Sequence, residues 1–390
     1  MQSQPETIYQ AMNRNRRPAR HFCELFLCWA LLLHPFNAIG SETPVVSKPL
    51  REYLEYPSTS DLSLKLFAQF RCATPTGILL VKMHGWHGAV KVAHTDNIAN
   101  PIERGYFVVE PEMRGRGEAT GNPDCNGWEL QDVIDAVEFA RIRYHDRIKL
   151  PQIVLLWGGS GGGGNAYGLV GKFPDYFTAA IMESGMSDYG LWYTFDRKGE
   201  FRDEMEGVDG KDPKGRPAWI GGSPETNAEA YRSRGGLTTV GNLLTPSMIF
   251  HGSDDVRVPA MHARLWVGAA LGQGRGALVT YHEMAGVGDN RLHNANETKA
   301  QQVARLRAAE AFFRDHREPP TLPPSGSLIV AGYVKTGRFE VILDSIDHVG
   351  RVDYDLSTGR FEVHAEKAKR AIVRVRLGDG WNQREVDCVP

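Results

Sequence analysis

From residue 77 onward, short apolar runs alternate with amphipathic stretches. Ile78–Met83, Tyr106–Val109, Ile153–Trp157, Thr178–Met182, Met248–His251 and Leu278–Tyr281 are nearly continuous in apolar residues. Between them, Leu130–Tyr144 and Ala295–Arg314 carry apolar residues at helical spacing. Continuous apolar strands separated by helices predict a mostly parallel, doubly wound sheet covered on both faces. In such sheets the functional residues gather in loops at the carboxyl ends of the strands. Upstream, Leu62–Phe67 alternates and predicts an edge strand. The segment 189–244 breaks the rhythm: it is polar, aromatic and glycine-rich, with no buried strand, and reads as a cap inserted over the site. Pro319, Pro320, Pro323 and Pro324 mark a stiff linker. Beyond it, Leu328–Tyr333, Arg338–Leu343, Val349–Tyr354, Arg360–Val363 and Ala371–Leu377 predict a small all-β appendage over 325–390.

Composition changes this picture little. The 390 residues are 42% hydrophobic and 24% charged, ordinary values for a globular chain. A formal net charge of −2 gives no global field for recruiting nucleic acid or an anionic membrane. The first 40 residues read as an export signal. Arg14, Arg16, Arg17 and Arg20 precede an apolar run from Leu25 to Leu33, Pro35 breaks it, and Ala38-Ile39-Gly40 offers small residues for cleavage. The run is too short for a designed membrane anchor, so no stable membrane insertion and a secreted or periplasmic mature protein are expected. Translation from Met12 rather than Met1 would give a more ordinary signal. Cys72, Cys125 and Cys388 remain after cleavage, too few and too odd a number for a disulfide scaffold, though one pair is open. No Cys/His spacing resembles a metal site, and no organic cofactor is implied.

The chemistry concentrates at Gly158-Gly159-Ser160-Gly161-Gly162, directly after the apolar run Ile153–Trp157 and before a helix expected over Ala166–Phe173. Glycines around a serine allow a sharp strand-to-helix turn that lifts the hydroxyl out of the sheet. A serine needs a base to take its proton, and on this kind of scaffold an acid and then a histidine follow it in the chain. The acid falls in His251-Gly252-Ser253-Asp254-Asp255, where Asp255 is the first choice and Asp254 the neighbour with the same chemistry. Of the later histidines, His262 is too near the acid and His282 lies within an expected strand. His293 lies in a loop after that strand and is the expected base. Acyl transfer also needs oxyanion donors, for which the backbone N–H groups of Gly161 and of Trp86, in the loop His84–Gly88, are expected. Arg114 and Arg116 fit either structural ion pairs or bidentate recognition of a substrate carboxylate.

The succession HGWHG, RGYFVVEPEMRGRG, DVIDAVEF, GGSGGGGNAYG, KFPDYFTAAIMESGMSDY and HGSDDVRVP resembles the catalytic domain of the prolyl oligopeptidase family, in order, over about Gly77 to His316. The resemblance implies the α/β-hydrolase fold, a Ser-Asp-His triad and cleavage of short peptides or related acyl compounds. Carried over, the nucleophile falls on Ser160 and the acid on Asp255, four residues after His251. Two departures stand out. Asp289-Asn290-Arg291-Leu292 intervene between Gly286-Val287-Gly288 and His293, where the family's histidine follows the glycines directly. The segment between the expected signal and Gly77 is also too short for the β-propeller that family peptidases carry ahead of the catalytic domain.

The expected organisation is thus a signal over 1–40, a catalytic domain over 41–318 and the appendage. Two activities share the triad: a serine peptidase for small peptides, and a carboxylesterase for carbohydrate or aromatic acyl esters. Trp192 and Tyr193 of the cap are expected to line the substrate site. Glu204 and Glu206 are the carboxylates that would meet a free substrate amine. A binding protein on a hydrolase scaffold is a third reading, disfavoured because nucleophile, acid and base occur in order. Oligomeric state is left open.

Overall fold

The computed structural model describes residues 49–90, 105–196, 199–378 and 380–390. The expected export signal lies outside these residues. Two sheets organise the chain. The first has eight strands: β1 (Leu50–Pro57), β2 (Lys65–Cys72), β3 (Thr76–Met83), β4 (Phe107–Pro111), β5 (Ile148–Gly159), β6 (Ala179–Glu183), β7 (Ser247–Gly252) and β8 (Val279–Met284). Their order is β1-β2-β4-β3-β5-β6-β7-β8, with β1, β2 and β4 antiparallel to one another in turn and every pair from β4 through β8 parallel. The apolar runs fall on the parallel strands because both faces of those strands are covered, so both side-chain sets must be apolar. Leu79, Val81, Val109, Leu156 and Ile249 face one core, and Leu80, Val108, Leu155, Ile181 and Phe250 face the other.

The helices are α1 (Glu129–Arg143), α2 (Gly161–Lys172), α3 (Tyr189–Phe195), α4 (Arg202–Glu206), α5 (Ala228–Arg234), α6 (Met261–Gly272) and α7 (Lys299–Asp315). Helix α1 has Glu129 and Asp132 in its first turn and Arg141 and Arg143 in its last, matching the helix dipole. Asp124 accepts hydrogen bonds from the backbone N–H groups of Gly127, Trp128 and Glu129 at its start. Helix α7 starts with a capping box in which Thr298 and Gln301 satisfy each other's backbone N–H.

Several elements differ from the sequence expectation. The strand expected at Leu62–Phe67 begins at Lys65, because Asp61 turns the chain by accepting from the N–H and hydroxyl of Ser63. It is also internal: β1, outside the expected set, covers its edge. Helix α2 starts at Gly161, five residues before the expected start, since its first turn is packed tightly enough to admit only glycine.

After the prolines, β9 (Ser325–Ala331), β10 (Tyr333–Lys335), β11 (Phe339–Leu343), β12 (Val349–Asp355), β13 (Arg360–Ala365), β14 (Arg370–Leu377) and β15 (Gly380–Asp387) form a second, antiparallel sheet with its own core. Gly332, at φ +73°, splits the one strand expected at Leu328–Tyr333 into β9 and β10. This sheet is docked closely on the first unit. Tyr333 is fully buried in the main core, stacks on Trp128 at 4.8 Å and donates its hydroxyl to the Gly127 carbonyl at 3.0 Å. Asn242 uses its amide like a backbone unit, donating to Ile329 O (2.8 Å) and accepting from Ile329 N–H (2.7 Å). Cys72, Cys125 and Cys388 are free and belong to three different apolar clusters.

Lys172, at the end of α2, is buried in this junction, where its amine donates to the Ala331 carbonyl and lies 4.6 Å from the centre of the Tyr333 ring. Burial, reinforced by the nearby Arg234 cation, holds its pKa well below the ordinary lysine value. In the range between the lowered and the ordinary value, the unfolded chain binds one more proton than the folded one, so stability rises with pH. Wild type should therefore gain stability over Lys172→Met as pH rises from about 8 to about 10, by at most about 1.4 kcal/mol per pH unit. Denaturant titrations of both proteins across that range check this; parallel pH profiles would show that Lys172 is charged in the fold.

Candidate active site

Ser160 sits between β5 and α2 with φ 57° and ψ −122°, a backbone conformation that a side chain rarely adopts. Its N–H donates to the Glu183 carbonyl at 2.8 Å and its own carbonyl accepts from Gly164 N–H at 3.0 Å, so both neighbouring elements hold the turn. The turn also needs small neighbours. A Cβ on Gly158 would fall 2.0 Å from the Gly162 carbonyl oxygen, and one on Gly161 would fall 2.3 Å from the Trp86 nitrogen. The GGSGG pattern is thus a packing requirement as well as a source of backbone freedom.

His293 Nε2 lies 2.8 Å from Ser160 Oγ, and His293 Nδ1 lies 2.7 Å from Asp255 Oδ2. Asp255 is fully buried in its side chain, and its other oxygen accepts from the N–H groups of Arg257 and Val258, each at 3.0 Å. The carboxylate is therefore fixed before it meets the imidazole, and it selects the tautomer that leaves Nε2 free to accept from the serine. Asp254 turns away and accepts from the Ser253 hydroxyl. His262 is buried in α6, and His282 lies in β8 stacked on Phe250. The four extra residues before His293 fold into a turn on Asp289, whose carboxylate accepts from the N–H groups of Arg291 and Leu292, each at 2.7 Å. Gly288 N–H then donates to the Ala295 carbonyl, closing the loop so that His293 still reaches Ser160. Arg305 of α7 ties this loop to the elbow by pairing with Glu297 at 2.8 Å and Glu183 at 2.6 Å.

Trp86 follows β3 in the loop that abuts Gly161. Neither its N–H nor that of Gly161 has a backbone partner among the described residues, so two donors meet beside Ser160. His84 sets the loop: its Nε2 accepts from Met113 N–H at 3.1 Å and its Nδ1 donates to the Gly85 carbonyl at 2.8 Å. Burial pushes its pKa down to about 4, which keeps the ring neutral and able to do both. From the other side, Glu204 accepts from Trp86 Nε1 at 2.6 Å and lies 2.9 Å from His87 Nε2.

The cap residues expected to meet substrate are placed as follows. Trp192 is buried, stacked on Phe201 at 4.3 Å, and donates its Nε1 to the Arg257 carbonyl. Trp86 packs edge-on against it at 4.9 Å and lies 4.7 Å from Trp219, so the cap and the oxyanion loop share one aromatic cluster. Glu204 is buried and engaged by Trp86 and His87, while the half-buried Tyr193 donates its hydroxyl to Glu206. These partners come from chain segments far apart in sequence, so local pattern carries no sign of them. Among the described residues no cluster of side chains suits a metal ion, and no helix is long and apolar enough to cross a membrane.

The prolyl oligopeptidase family profile matches residues 93–318, more than half of the chain. No curated protein sequence matches it. Among solved structures it is similar to an acylaminoacyl peptidase of Pyrococcus horikoshii, with TM-score 0.55 and 17% identity over 71% of this chain and 43% of that one. A puromycin-hydrolyzing peptidase of Mycobacterium tuberculosis matches with TM-score 0.54 and 19% identity over 73% of this chain and 42% of that one. An esterase of Pyrococcus furiosus matches with TM-score 0.50 and 13% identity over 73% of this chain and 98% of that one. At these identities the likeness is one of fold, and the chain spans less than half the length of the two peptidases.

If the Trp86 and Gly161 N–H groups hold the oxyanion, as expected, Gly161→Ala should lower kcat by about 10²–10³-fold, because its Cβ must displace the Trp86 N–H. Steady-state kinetics beside a circular dichroism melt check this; a folded variant with normal kcat would remove Trp86 and Gly161 from the oxyanion site.

Proposed function

Since the chain belongs to the prolyl oligopeptidase family and is a serine hydrolase of the α/β-hydrolase fold, we propose that it is an exported serine peptidase acting on small peptides or related acyl compounds through Ser160, His293 and Asp255. The observation that carries the reading is the unbroken line Ser160 Oγ–His293–Asp255, at 2.8 and 2.7 Å, beside two backbone N–H groups that have no backbone partner among the described residues.

In this reading Ser160 attacks the scissile carbonyl while His293 Nε2 takes its proton. The imidazolium formed is stabilised by Asp255, which two backbone N–H groups and the ring hold in place. The carbonyl oxygen, now an anion, lies between the N–H groups of Trp86 and Gly161. Collapse of this intermediate passes the proton from His293 to the leaving group and leaves an acyl group on Ser160. Water, deprotonated by His293, then releases the acid and regenerates the serine. Only an imidazole with Nε2 unprotonated can take the serine proton and start the cycle. The export part of the proposal rests on the arginine-rich, apolar N-terminal 40 residues alone.

A carboxylesterase is the second reading, and one observation favours it. Glu204, one of the two cap carboxylates expected to meet a peptide's amino terminus, is instead buried and engaged by Trp86 and His87. The two readings separate on kcat/KM for acyl esters against amino-acyl and prolyl amides of one chromogenic leaving-group design. Ser160-dependent amide cleavage is expected; ester cleavage with negligible amide cleavage would make the protein an esterase. Turnover in Ser160→Ala equal to wild type on both series would overturn either reading.

A further inference from the structure

Beside the loop that follows β4 and the cap, Arg114, Arg216 and Arg234 are paired. Arg114 donates from Nε and Nη2 to Asp132, both at 2.6 Å, and also to Ser60. Arg216 pairs with Asp212 at 2.8 Å and donates to the Gly115 carbonyl. Arg234 pairs with Asp347 at 2.7 Å and donates to the Ile346 carbonyl. Arg116 differs. It is only 9% exposed, its guanidinium lies 4.1 Å from the centre of the Trp219 ring, and no hydrogen bond or ion pair reaches that guanidinium among the described residues. A ring satisfies one face of a guanidinium but none of the five N–H donors at its edge.

Arg116 lines a small cavity, about 20 Å³, together with Trp86, Gly161, Glu129, Asn165 and Trp219. The cavity is thus walled by both residues whose backbone N–H groups meet beside Ser160. Its nearby carboxylates are committed elsewhere. Glu129 accepts from the N–H groups of Asn126 (2.7 Å) and Asp124 (3.3 Å) and from the Asn165 amide (3.2 Å), and Glu204 is held by Trp86 and His87. Burial and the Asp124 charge push Glu129 up to about 7, so it opposes an incoming anion less than an exposed glutamate would. The wall is rigid: Cys125 and Asn126 sit in the left-handed region, held by Asn126 bonds to the Gly164 and Arg234 carbonyls. The Arg116 fork, with no acceptor among the described residues, has the donor geometry that suits the planar oxygen pair of a carboxylate.

We propose that Arg116 binds a carboxylate carried on the acyl part of the substrate, so that the enzyme prefers short acyl groups ending in a carboxylate near the scissile carbonyl. The inference rests on Ser160 being the nucleophile, because that places the scissile carbonyl beside this cavity. Two substrate sources share this chemistry: a short dicarboxylic acyl group, and an acidic amino-acid residue preceding the cleaved bond.

The test compares kcat/KM for matched chromogenic pairs, with buffer rates subtracted: glutaryl against pentanoyl derivatives, and acetyl-aspartyl against acetyl-asparaginyl anilides. Wild type is expected to prefer the carboxylated member of at least one pair by roughly 10- to 100-fold, the range for a hydrogen bond to a charged group. A preference in the glutaryl pair alone would assign a dicarboxylic acyl source, and one in the aspartyl pair alone an acidic residue; either supports the proposal. In Arg116→Met the ratio within the preferred pair should fall to about one, and in Arg116→Lys it should fall only in part. Equal kcat/KM within both pairs for wild type, or a preference that survives Arg116→Met, would overturn the proposal even if the methionine variant folds poorly, because the first result needs no variant. Turnover persisting in Ser160→Ala would instead strike the nucleophile assignment, which keeps the two failures apart.

Discussion

The strained turn at Ser160 is the constraint on which the site depends. A non-glycine residue at φ 57° and ψ −122° costs on the order of 1–3 kcal/mol and persists only where its surroundings overdetermine it. Here they do: β6 accepts the Ser160 N–H, α2 donates to its carbonyl, and the flanking glycines approach Gly162 O and Trp86 N too closely for any side chain. The sheet order follows from the same requirement. Strand β5 must lie between β3, which delivers the Trp86 loop, and β6, which delivers Glu183. The next strands, β7 and β8, then bring Asp255 and His293 to the same edge.

Around this turn the protein places polar clamps rather than open pocket. Neutral His84 and the buried Glu204 grip the Trp86 loop from opposite sides, and Arg305 ties the histidine loop to Glu183. The C-terminal sheet reaches the same region. Tyr333 holds the Gly127 carbonyl, and Arg234 bridges the Asp124 carbonyl to Ile346 and Asp347. The segment Asp124–Gly127, which walls the Arg116 cavity, is therefore fixed from the β unit as well as from the hydrolase core. A sheet that looks in sequence like a tethered appendage is part of the support of the site.

What was legible in the sequence follows from which forces are local. The parallel strands were readable because burial on both faces leaves an apolar run, and the elbow because only glycine tolerates the contacts around Ser160. Strands β1 and β15 were not. Only Leu50 and Tyr56 of β1 are buried, and β15 is an exposed polar edge, so neither carries the pattern that marks a strand. The histidine was found from its place in a loop, although the turn on Asp289 that makes room for the insertion is a tertiary feature. The cap was readable as a break in rhythm but not in its side-chain directions: Trp192 and Glu204 point into the protein because Phe201, Trp86 and His87, distant in sequence or across a turn, receive them. The two arginines after β4 look alike in sequence, and only the position of Asp132 and Trp219 separates a structural one from an unpaired one.

The most direct test of the central claim is the site and rate of modification by a fluorophosphonate, mapped by peptide mass spectrometry on the intact protein. The account predicts a single adduct on Ser160, with labelling slowed by at least about 100-fold in His293→Ala because the base that activates the hydroxyl is gone. An adduct on a different serine, or labelling of Ser160 at the same rate without His293, would contradict it.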